Sequence, residues 1–214
     1  MTAMNKAMSY EMSYAAPDMG DNGVNDTKSI LLVGVGGQGT ILASKILTIG
    51  LMEAGYDVKM SEIHGMSQRG GSVSSHVRYG GKVCSPVIEK GTADMIVAFE
   101  KMEALRYLDY LKADGTLVTN NEEIPSMSVI TGQETYPPDV LQELEKGCRN
   151  RVVDAAAMAA SLGNPKTANI ILLGTIIKTM GLEGIDWDRI LEENIKPQFV
   201  EINKKAIRVG MQAV

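Results

Sequence analysis

A strand followed by a glycine-rich turn is indicated by Ile30-Leu31-Leu32-Val33-Gly34-Val35-Gly36-Gly37-Gln38-Gly39. The first four of these residues are apolar and run directly into residues 34–39, which we call the glycine loop. Residues 41–51 follow with apolar side chains at helical spacing, and Gly55 marks a stop. A strand that turns into a helix on such a loop is typical of the first unit of an α/β domain. The start of that helix presents free N–H groups and a positive dipole end, which suit a phosphate or carboxylate.

The composition excludes several classes of protein. The chain has 214 residues, a formal net charge of −5 and a pI of about 5.2, which does not suit a general nucleic-acid binder. No apolar stretch approaches the roughly 20 residues that cross a bilayer, and no signal-peptide core is present, so we expect no membrane association. Cys84 and Cys148 are the only cysteines. They exclude a disulfide scaffold, favour a reducing cytoplasm and are too few to hold an iron–sulfur cluster.

Residues 1–27 differ from the remainder of the chain. They are rich in methionine and in small and polar residues, without a helical or strand period. We interpret them as a flexible N-terminal tail before a domain of residues 28–214, the alternative being an arm that docks on a partner. In the domain, strands alternate with helices and a helical C-terminal third follows. This order predicts an α/β fold with a mainly parallel, Rossmann-like open sheet and helices on both faces.

The sequence also predicts the secondary structure of three further segments of the domain. Residues 82–88 are predicted as an extended piece that pairs with the preceding strand through a turn at Gly80-Gly81. Residues 127–130 are predicted as a further strand. Residues 101–111 are predicted as one helix, which a turn at 113–115 closes.

The glycine loop has three possible interpretations. The glycines would permit a tight turn with close packing and no ligand. Alternatively, the spacing Gly34-x-Gly36-x-x-Gly39 is that of the dinucleotide fingerprint, and Glu62 stands where an NAD or FAD site requires an acid for the ribose. In the third interpretation, the loop binds another anionic group or packs against a partner's cofactor. No Walker lysine follows the glycines, which argues against an NTPase.

A second loop follows the second predicted strand and favours the third interpretation. It reads His-Gly-Met-Ser-Gln-Arg-Gly-Gly over residues 64–71. Arg69 offers a planar set of donors for carboxylate or phosphate, and His64 is able to transfer a proton near neutral pH. Gly70 and Gly71 permit close approach of a ligand or another subunit. Because ligands bind at this end of the strands in open α/β sheets, we predict that the loop is functional.

The remaining titratable residues give weaker signals. His76 alternates with Ser74 and Arg78 along a predicted strand, which favours a structural or interface role. Cys84 has no basic neighbour other than Lys82, so a nucleophilic thiol is not favoured. No cluster of His, Cys or Asp has metal-ligand spacing, and we predict no metal on this chain.

Two runs of sequence resemble a known family. They are ILLVGVGGQGTILASKIL, residues 30–47, and GYDVKMSEIHGMSQRGGSVSSHVRYG, residues 55–80. With both motifs in this order, the chain resembles the gamma-type domain of the 2-oxoacid:ferredoxin oxidoreductases. Within that family it is similar to the small (beta) subunits of the indolepyruvate:ferredoxin type. The resemblance covers about residues 28–205 and leaves the N-terminal tail outside it.

The resemblance implies a subunit that completes an active site and is inactive alone. The complex would oxidatively decarboxylate aryl 2-oxoacids, with indolepyruvate as the type substrate, to acyl-CoA and pass the electrons to ferredoxin. Thiamine diphosphate, Mg²⁺ and 4Fe–4S clusters would lie on the large alpha subunit, and coenzyme A is the candidate ligand of this chain. The two cysteines and the lack of a GDG…N thiamine motif agree with this division.

The resemblance also implies roles for the residues of the two loops. A phosphate or a partner segment would contact Gly34, Gly36, Gly37, Gln38 and Gly39. The large subunit, the substrate carboxylate or coenzyme A would face His64, Ser67, Gln68 and Arg69, with Gly70 and Gly71 beside them. Of these residues, His64 and Arg69 are the candidates for a catalytic contribution.

Overall fold

A computed structural model of the chain describes residues 26–65 and 70–214. The predicted tail therefore lies outside the described residues except for Asp26 and Thr27, and it stays a prediction. Six strands form one open sheet in the order β2-β3-β1-β4-β5-β6. Their bounds are β1 Lys28–Val35, β2 Asp57–His64, β3 Ser72–Gly80, β4 Ala93–Ala98, β5 Leu111–Asn120 and β6 Arg149–Val153.

The sheet is mainly parallel, as predicted. β1, β4, β5 and β6 pair in parallel with one another. β3 is antiparallel to both of its neighbours, β1 and β2, so β2 runs parallel to β1 at a distance of two strands. The second loop is consequently the connection of a β2–β3 hairpin, and it returns the chain to the same end of the sheet as the glycine loop.

Helices cover both faces of the sheet because the central strands are apolar on both faces. In β1, Ile30 and Leu32 belong to one buried cluster, and Leu31 and Val33 belong to the other. The first cluster packs against the C-terminal helices, which confirms the predicted helical C-terminal third. The helices are α1 Thr40–Glu53, α2 Lys101–Arg106, α3 Met127–Ile130, α4 Val140–Gly147, α5 Ala155–Ser161, α6 Ala168–Thr179, α7 Trp187–Asn194 and α8 Pro197–Gln212.

The prediction that residues 82–88 pair with the preceding strand is wrong. They form no strand, and β3 has no free edge to offer them because β1 and β2 occupy both of its sides. The segment is held by side chains instead. The ring Nδ1 of His76 accepts a hydrogen bond from the backbone N–H of Ile88 at 3.1 Å, and an Arg78 guanidinium nitrogen donates to the Ser85 carbonyl at 2.9 Å. His76 therefore has the structural role that its position predicted.

Two further element predictions are corrected. Residues 127–130 form the short helix α3 rather than a strand, because Ser126 caps it by accepting a hydrogen bond from the Val129 N–H. The helix predicted for residues 101–111 ends at Arg106, a 3-10 turn follows over Leu108–Tyr110, and Leu111 already belongs to β5. Among the described residues, none of the helices has the length and apolar character needed to cross a membrane.

Candidate functional site

The glycine loop lies at the point where the strand order changes direction. From β1 the chain continues through α1 to β2 on one side, whereas β4 borders β1 on the other side. In open α/β sheets a crevice opens at such a point, beyond the carboxyl ends of the strands, and ligands bind there. A ligand site of this chain is therefore expected at this edge of the sheet.

Glycine is required in the glycine loop for two different reasons. Gly37 and Gly39 have φ angles of 113° and 84°, which L-residues with a side chain rarely adopt. Gly34 has an ordinary backbone, but a Cβ placed there would lie 2.9 Å from both Gln38 Oε1 and Phe99 Cβ. The loop is thus both turned tightly and packed against the end of β4.

The side chain of Gln38 points into the protein and ties the loop to neighbouring strands. Its Oε1 accepts from the Val35 N–H at 2.8 Å, and its Nε2 donates to the Phe99 carbonyl at 2.8 Å and to Glu122 Oε2 at 3.0 Å. Both amide hydrogens of Gln38 are therefore used within the chain. The predicted contact of Gln38 with a ligand stays a prediction, whereas its role in holding the loop is visible.

The two predicted loops lie against each other. The Gly36 N–H donates to the Gly71 carbonyl at 2.8 Å, and the Gly70 N–H donates to the Gly36 carbonyl at 3.1 Å. This mutual pair of backbone hydrogen bonds brings the two glycine-rich segments together at the carboxyl edge. The candidates Ser67, Gln68 and Arg69 lie outside the described residues, and their predicted roles stay predictions.

A crevice of about 690 Å³, which we call the switch-point crevice, opens beside the glycine loop. The loop forms one side, and the segments that follow β4 and β5 form another through Phe99, Asn120 and Glu122. A 3-10 turn over Pro165–Thr167 and the start of α6 close it through Pro165, Lys166, Ala168 and Asn169. The N-termini of two helices, α1 and α6, therefore meet at one cavity, and each contributes a positive dipole end.

Asn169 joins the two helix N-termini. Its side-chain Nδ2 donates to the Gly39 carbonyl at 3.3 Å across 130 positions of sequence. Its Oδ1 is buried and has no hydrogen-bond partner among the described residues, and only 6% of the Asn169 surface is exposed. A buried acceptor without a donor is costly, so a bound ligand or water at this position would stabilise the site.

The two charged side chains at the switch-point crevice differ, because one has partners within the chain and the other forms no ion pair with a described residue. Glu122 accepts from Gln38, and also from Asn120 Nδ2 at 3.0 Å, so its carboxylate is engaged within the chain. Lys166 is exposed in the 3-10 turn before α6 and forms no ion pair with a described residue. The free positive charge and the two helix N-termini together suit a phosphate-bearing ligand.

His64 lies on the other side of the glycine loop. It is exposed at the end of β2 and lines a smaller cavity of about 290 Å³ with residues of the glycine loop, Thr40, Ile41 and Val73. Its Nδ1 is 3.4 Å from the Gly65 carbonyl oxygen. The ring is therefore accessible, but it does not share the switch-point crevice with Lys166.

The sheet order does not favour the NAD or FAD interpretation. The fingerprint places its acidic residue on the strand next to β1. In this chain β3 lies between β1 and β2. Because neighbouring strands are about 4.8 Å apart, Glu62 on β2 lies roughly 5 Å farther from β1 than the acidic residue of the fingerprint does. Among the described residues, no group of three or more His, Cys, Asp or Glu is arranged to hold a metal ion, and both cysteines are free thiols.

Sequence reasoning missed Asn169 and Lys166. Asn164 accepts a hydrogen bond from the Lys166 N–H at 3.1 Å and precedes Pro165, which is a recognisable helix-start signal. That signal indicates a helix N-terminus at residues 164–168. It does not reveal that this N-terminus lies beside the glycine loop, which depends on how α6 packs over the sheet.

The fold and the crevice define an α/β protein of the open-sheet type. The family model for pyruvate ferredoxin/flavodoxin oxidoreductase matches residues 29–213, and the chain belongs to this family.

Individual members of the family support the assignment. The chain is 37% identical to an indolepyruvate oxidoreductase subunit IorB of Thermococcus kodakarensis, over 86% of this chain and 95% of the relative. It is 26% identical to the pyruvate/ketoisovalerate oxidoreductases common subunit gamma of Pyrococcus furiosus, over 84% and 91%. The structure resembles a 2-oxoglutarate:ferredoxin oxidoreductase from Magnetococcus marinus with 2-oxoglutarate, coenzyme A and succinyl-CoA bound. That match has a TM-score of 0.67 at 17% identity, and it covers 87% of this chain and 31% of that one. It shows a likeness of fold.

Proposed function

We propose that this chain is the small subunit of an oxidoreductase that converts aryl 2-oxoacids of the indolepyruvate type to acyl-CoA. The observation that carries the proposal is the switch-point crevice, in which two helix N-termini, Lys166 and the unpaired Asn169 oxygen meet at the glycine loop. In the overall reaction a 2-oxoacid and coenzyme A give acyl-CoA, carbon dioxide, one proton and two electrons, which ferredoxin accepts.

The names of the relatives support the choice of substrate class. The relative named for indolepyruvate is 37% identical to this chain, and the one named for pyruvate and ketoisovalerate is 26% identical, over similar lengths. Because the difference extends over nearly the whole domain, it favours assembly with an indolepyruvate-type large subunit. Residues 28–214 would form the gamma-type domain of that complex, located in the cytoplasm.

Coenzyme A fits the residues of the switch-point crevice. Its phosphates would lie at the N-termini of α1 and α6, where the N–H groups after Gly39 and the Lys166 ammonium are able to donate to anionic oxygens. Asn169 Oδ1 would accept from an amide or hydroxyl group of the ligand, which would remove its unsatisfied state. The chain would thereby bind and orient coenzyme A at the mouth of a site completed by the partner.

The redox chemistry would belong to the partner. Thiamine diphosphate with Mg²⁺ supplies carbanion stabilisation, and 4Fe–4S clusters take up the electrons, when they are bound by the large subunit. The two cysteines of this chain, Cys84 and Cys148, are too few to bind such a cluster. The contribution of this chain is therefore binding, orientation and exclusion of water.

Reconstitution with the large subunit tests the proposal. We expect acyl-CoA formation from indolepyruvate only when both chains are present, with electrons delivered to ferredoxin or to a viologen dye. We expect pyruvate and 2-oxoglutarate to be converted at least about tenfold less efficiently, a difference of about 1.4 kcal/mol in transition-state stabilisation. Full turnover by the large subunit alone, or equal turnover of all three 2-oxoacids, would contradict the assignment.

A further inference from the structure

Glu103 is a buried carboxylate on a short helix next to the two glycine-rich segments. Only 4% of its surface is exposed, and it lines a cavity of about 520 Å³ together with Gly70, Gly71 and Ser72. Its Oε2 accepts a hydrogen bond of 2.5 Å from the Ser72 hydroxyl. Burial raises the pKa of this carboxyl, so its position costs free energy that its contacts must offset.

Of the groups around Glu103, the Ser72 hydroxyl forms the main hydrogen bond to its carboxylate. Arg106 Nε lies 3.5 Å from Glu103 Oε1, but the Arg106 side chain is 55% exposed, so this ion pair contributes little. The Tyr107 hydroxyl is 3.4 Å from the Ser72 oxygen and only supplements the same contact. Glu100, the other buried carboxylate of this region, is occupied elsewhere. It accepts from Tyr136 at 2.6 Å and caps α2.

Ser72 connects Glu103 to the glycine loop through the backbone. It is the first residue of β3 and directly follows Gly70 and Gly71, which exchange hydrogen bonds with Gly36. Gly36 and Gly70 both line the switch-point crevice. Glu103 of α2 thus holds the Ser72 hydroxyl immediately after the two glycines that pair with Gly36.

We propose that Glu103 is a positioning residue, which holds Ser72 so that Gly70 and Gly71 stay paired with Gly36 and the switch-point crevice keeps its shape. The proposal rests on the proposed function, because it concerns the same crevice. It assigns to Glu103 no contact with coenzyme A or with the 2-oxoacid. Its effect on coenzyme A binding is transmitted through Ser72 and two glycine peptides.

Amide hydrogen exchange on this chain alone tests the positioning contact. Ser72→Ala removes the donor, and we expect the Gly36 and Gly70 amides to exchange about tenfold faster, which corresponds to about 1.4 kcal/mol. Glu103→Ala should act in the same way, whereas Glu103→Gln keeps an acceptor oxygen and should stay close to the wild type. Ser161→Ala is the control, because the Ser161 hydroxyl donates to the Met158 carbonyl within α5 at 2.7 Å.

The exchange result decides the structural part of the proposal. Exchange at Gly36 and Gly70 that stays within twofold of the wild type in Ser72→Ala overturns it, as does a Glu103→Gln variant that behaves like Glu103→Ala. If Glu103→Ala does not fold, Ser72→Ala and Glu103→Gln carry the test.

Kinetics of the reconstituted complex decide the functional part. We expect Ser72→Ala to raise the KM for coenzyme A about fivefold at nearly unchanged kcat, and Glu103→Gln to remain near the wild type. If Ser72→Ala leaves this KM unchanged while Lys166→Ala raises it, the positioning role is overturned and the coenzyme A proposal stands. If neither variant changes the KM, the coenzyme A proposal is contradicted, while the exchange result alone decides whether Glu103 positions Ser72.

Discussion

Gly37 and Gly39 should respond differently to an added side chain, because their surroundings differ. Both have positive φ angles, but a Cβ at Gly37 would meet no atom within 4 Å, whereas one at Gly39 would lie 2.6 Å from Asn169 Nδ2. The sequence predicted a tight glycine turn here. It could not predict the neighbour of Gly39, because Asn169 is 130 positions away along the chain.

These two glycines give a matched pair of variants. Gly37→Ala introduces only backbone strain and should lower the free energy of unfolding by about 1 kcal/mol. Gly39→Ala adds a clash with Asn169 and should cost about 3 kcal/mol, since the side chain must leave the position between two helix N-termini. Denaturant unfolding of both variants gives the comparison. Equal losses of stability would show that Asn169 does not pack against Gly39.

His76 makes a prediction about pH. Burial lowers its pKa below the unfolded value of about 6.5, because the charged ring would be desolvated and its Nδ1 accepts the Ile88 N–H only while unprotonated. The unfolded chain therefore binds this proton more readily than the native one. The contribution of His76 to stability is complete above about pH 6.5 and is lost as the pH falls below it.

The His76→Gln variant tests this pH dependence. Glutamine keeps an acceptor for the Ile88 N–H but does not titrate, so unfolding free energy should fall less steeply between pH 7 and pH 5 than in the wild type. His64→Gln replaces the exposed histidine at the end of β2 and serves as the control. Identical slopes for wild type and His76→Gln would contradict this role of His76.

The contact between α6 and α8 holds the helical layer over the sheet. A Cβ at Gly210 would lie 1.9 Å from the Ile171 carbonyl oxygen, and one at Gly174 would lie 2.3 Å from that of Ile207. The backbones of the two helices therefore touch without side chains between them. Since α6 begins at the switch-point crevice, this packing also sets the position of Lys166 and Asn169.

A single methyl group at this helix crossing should have a large effect. We expect Gly210→Ala to lower the free energy of unfolding by about 3 kcal/mol or more, because backbone atoms of α6 cannot move away as a flexible side chain would. Gly184→Ala is the control, since Gly184 has open space and an ordinary backbone conformation. Thermal unfolding in which both variants match the wild type would contradict the close crossing.

The elements that the sequence predicted correctly are those in which local pattern and packing agree. β1 is apolar on both faces and is buried, and α1 follows the glycine loop as expected. Residues 82–88 and 127–130 were predicted wrongly because short apolar runs do not reveal which strand edges are free. The occupied edges of β3, in the first case, and the cap by Ser126, in the second, decided the outcome.

At the scale of the whole molecule, the inserted strand β3 determines how the two glycine-rich segments meet. The sequence indicated that both lie at the carboxyl edge, and the paired hydrogen bonds of Gly36 with Gly70 and Gly71 agree with this. The contribution of α6 to the same crevice was not predictable, because strand order and helix packing are long-range properties. The crevice is therefore assembled from five separate segments of the chain.

We propose that the switch-point crevice holds coenzyme A within the complete oxidoreductase, and steady-state kinetics of the reconstituted complex test this proposal. Lys166→Ala should raise the KM for coenzyme A about tenfold, because a charge-assisted contact with phosphate is lost, and should leave the KM for the 2-oxoacid unchanged. Lys146→Ala is the control, since Lys146 pairs with Glu143 on α4. An unchanged KM for coenzyme A in Lys166→Ala, or an equal change in both KM values, would contradict coenzyme A binding at this crevice.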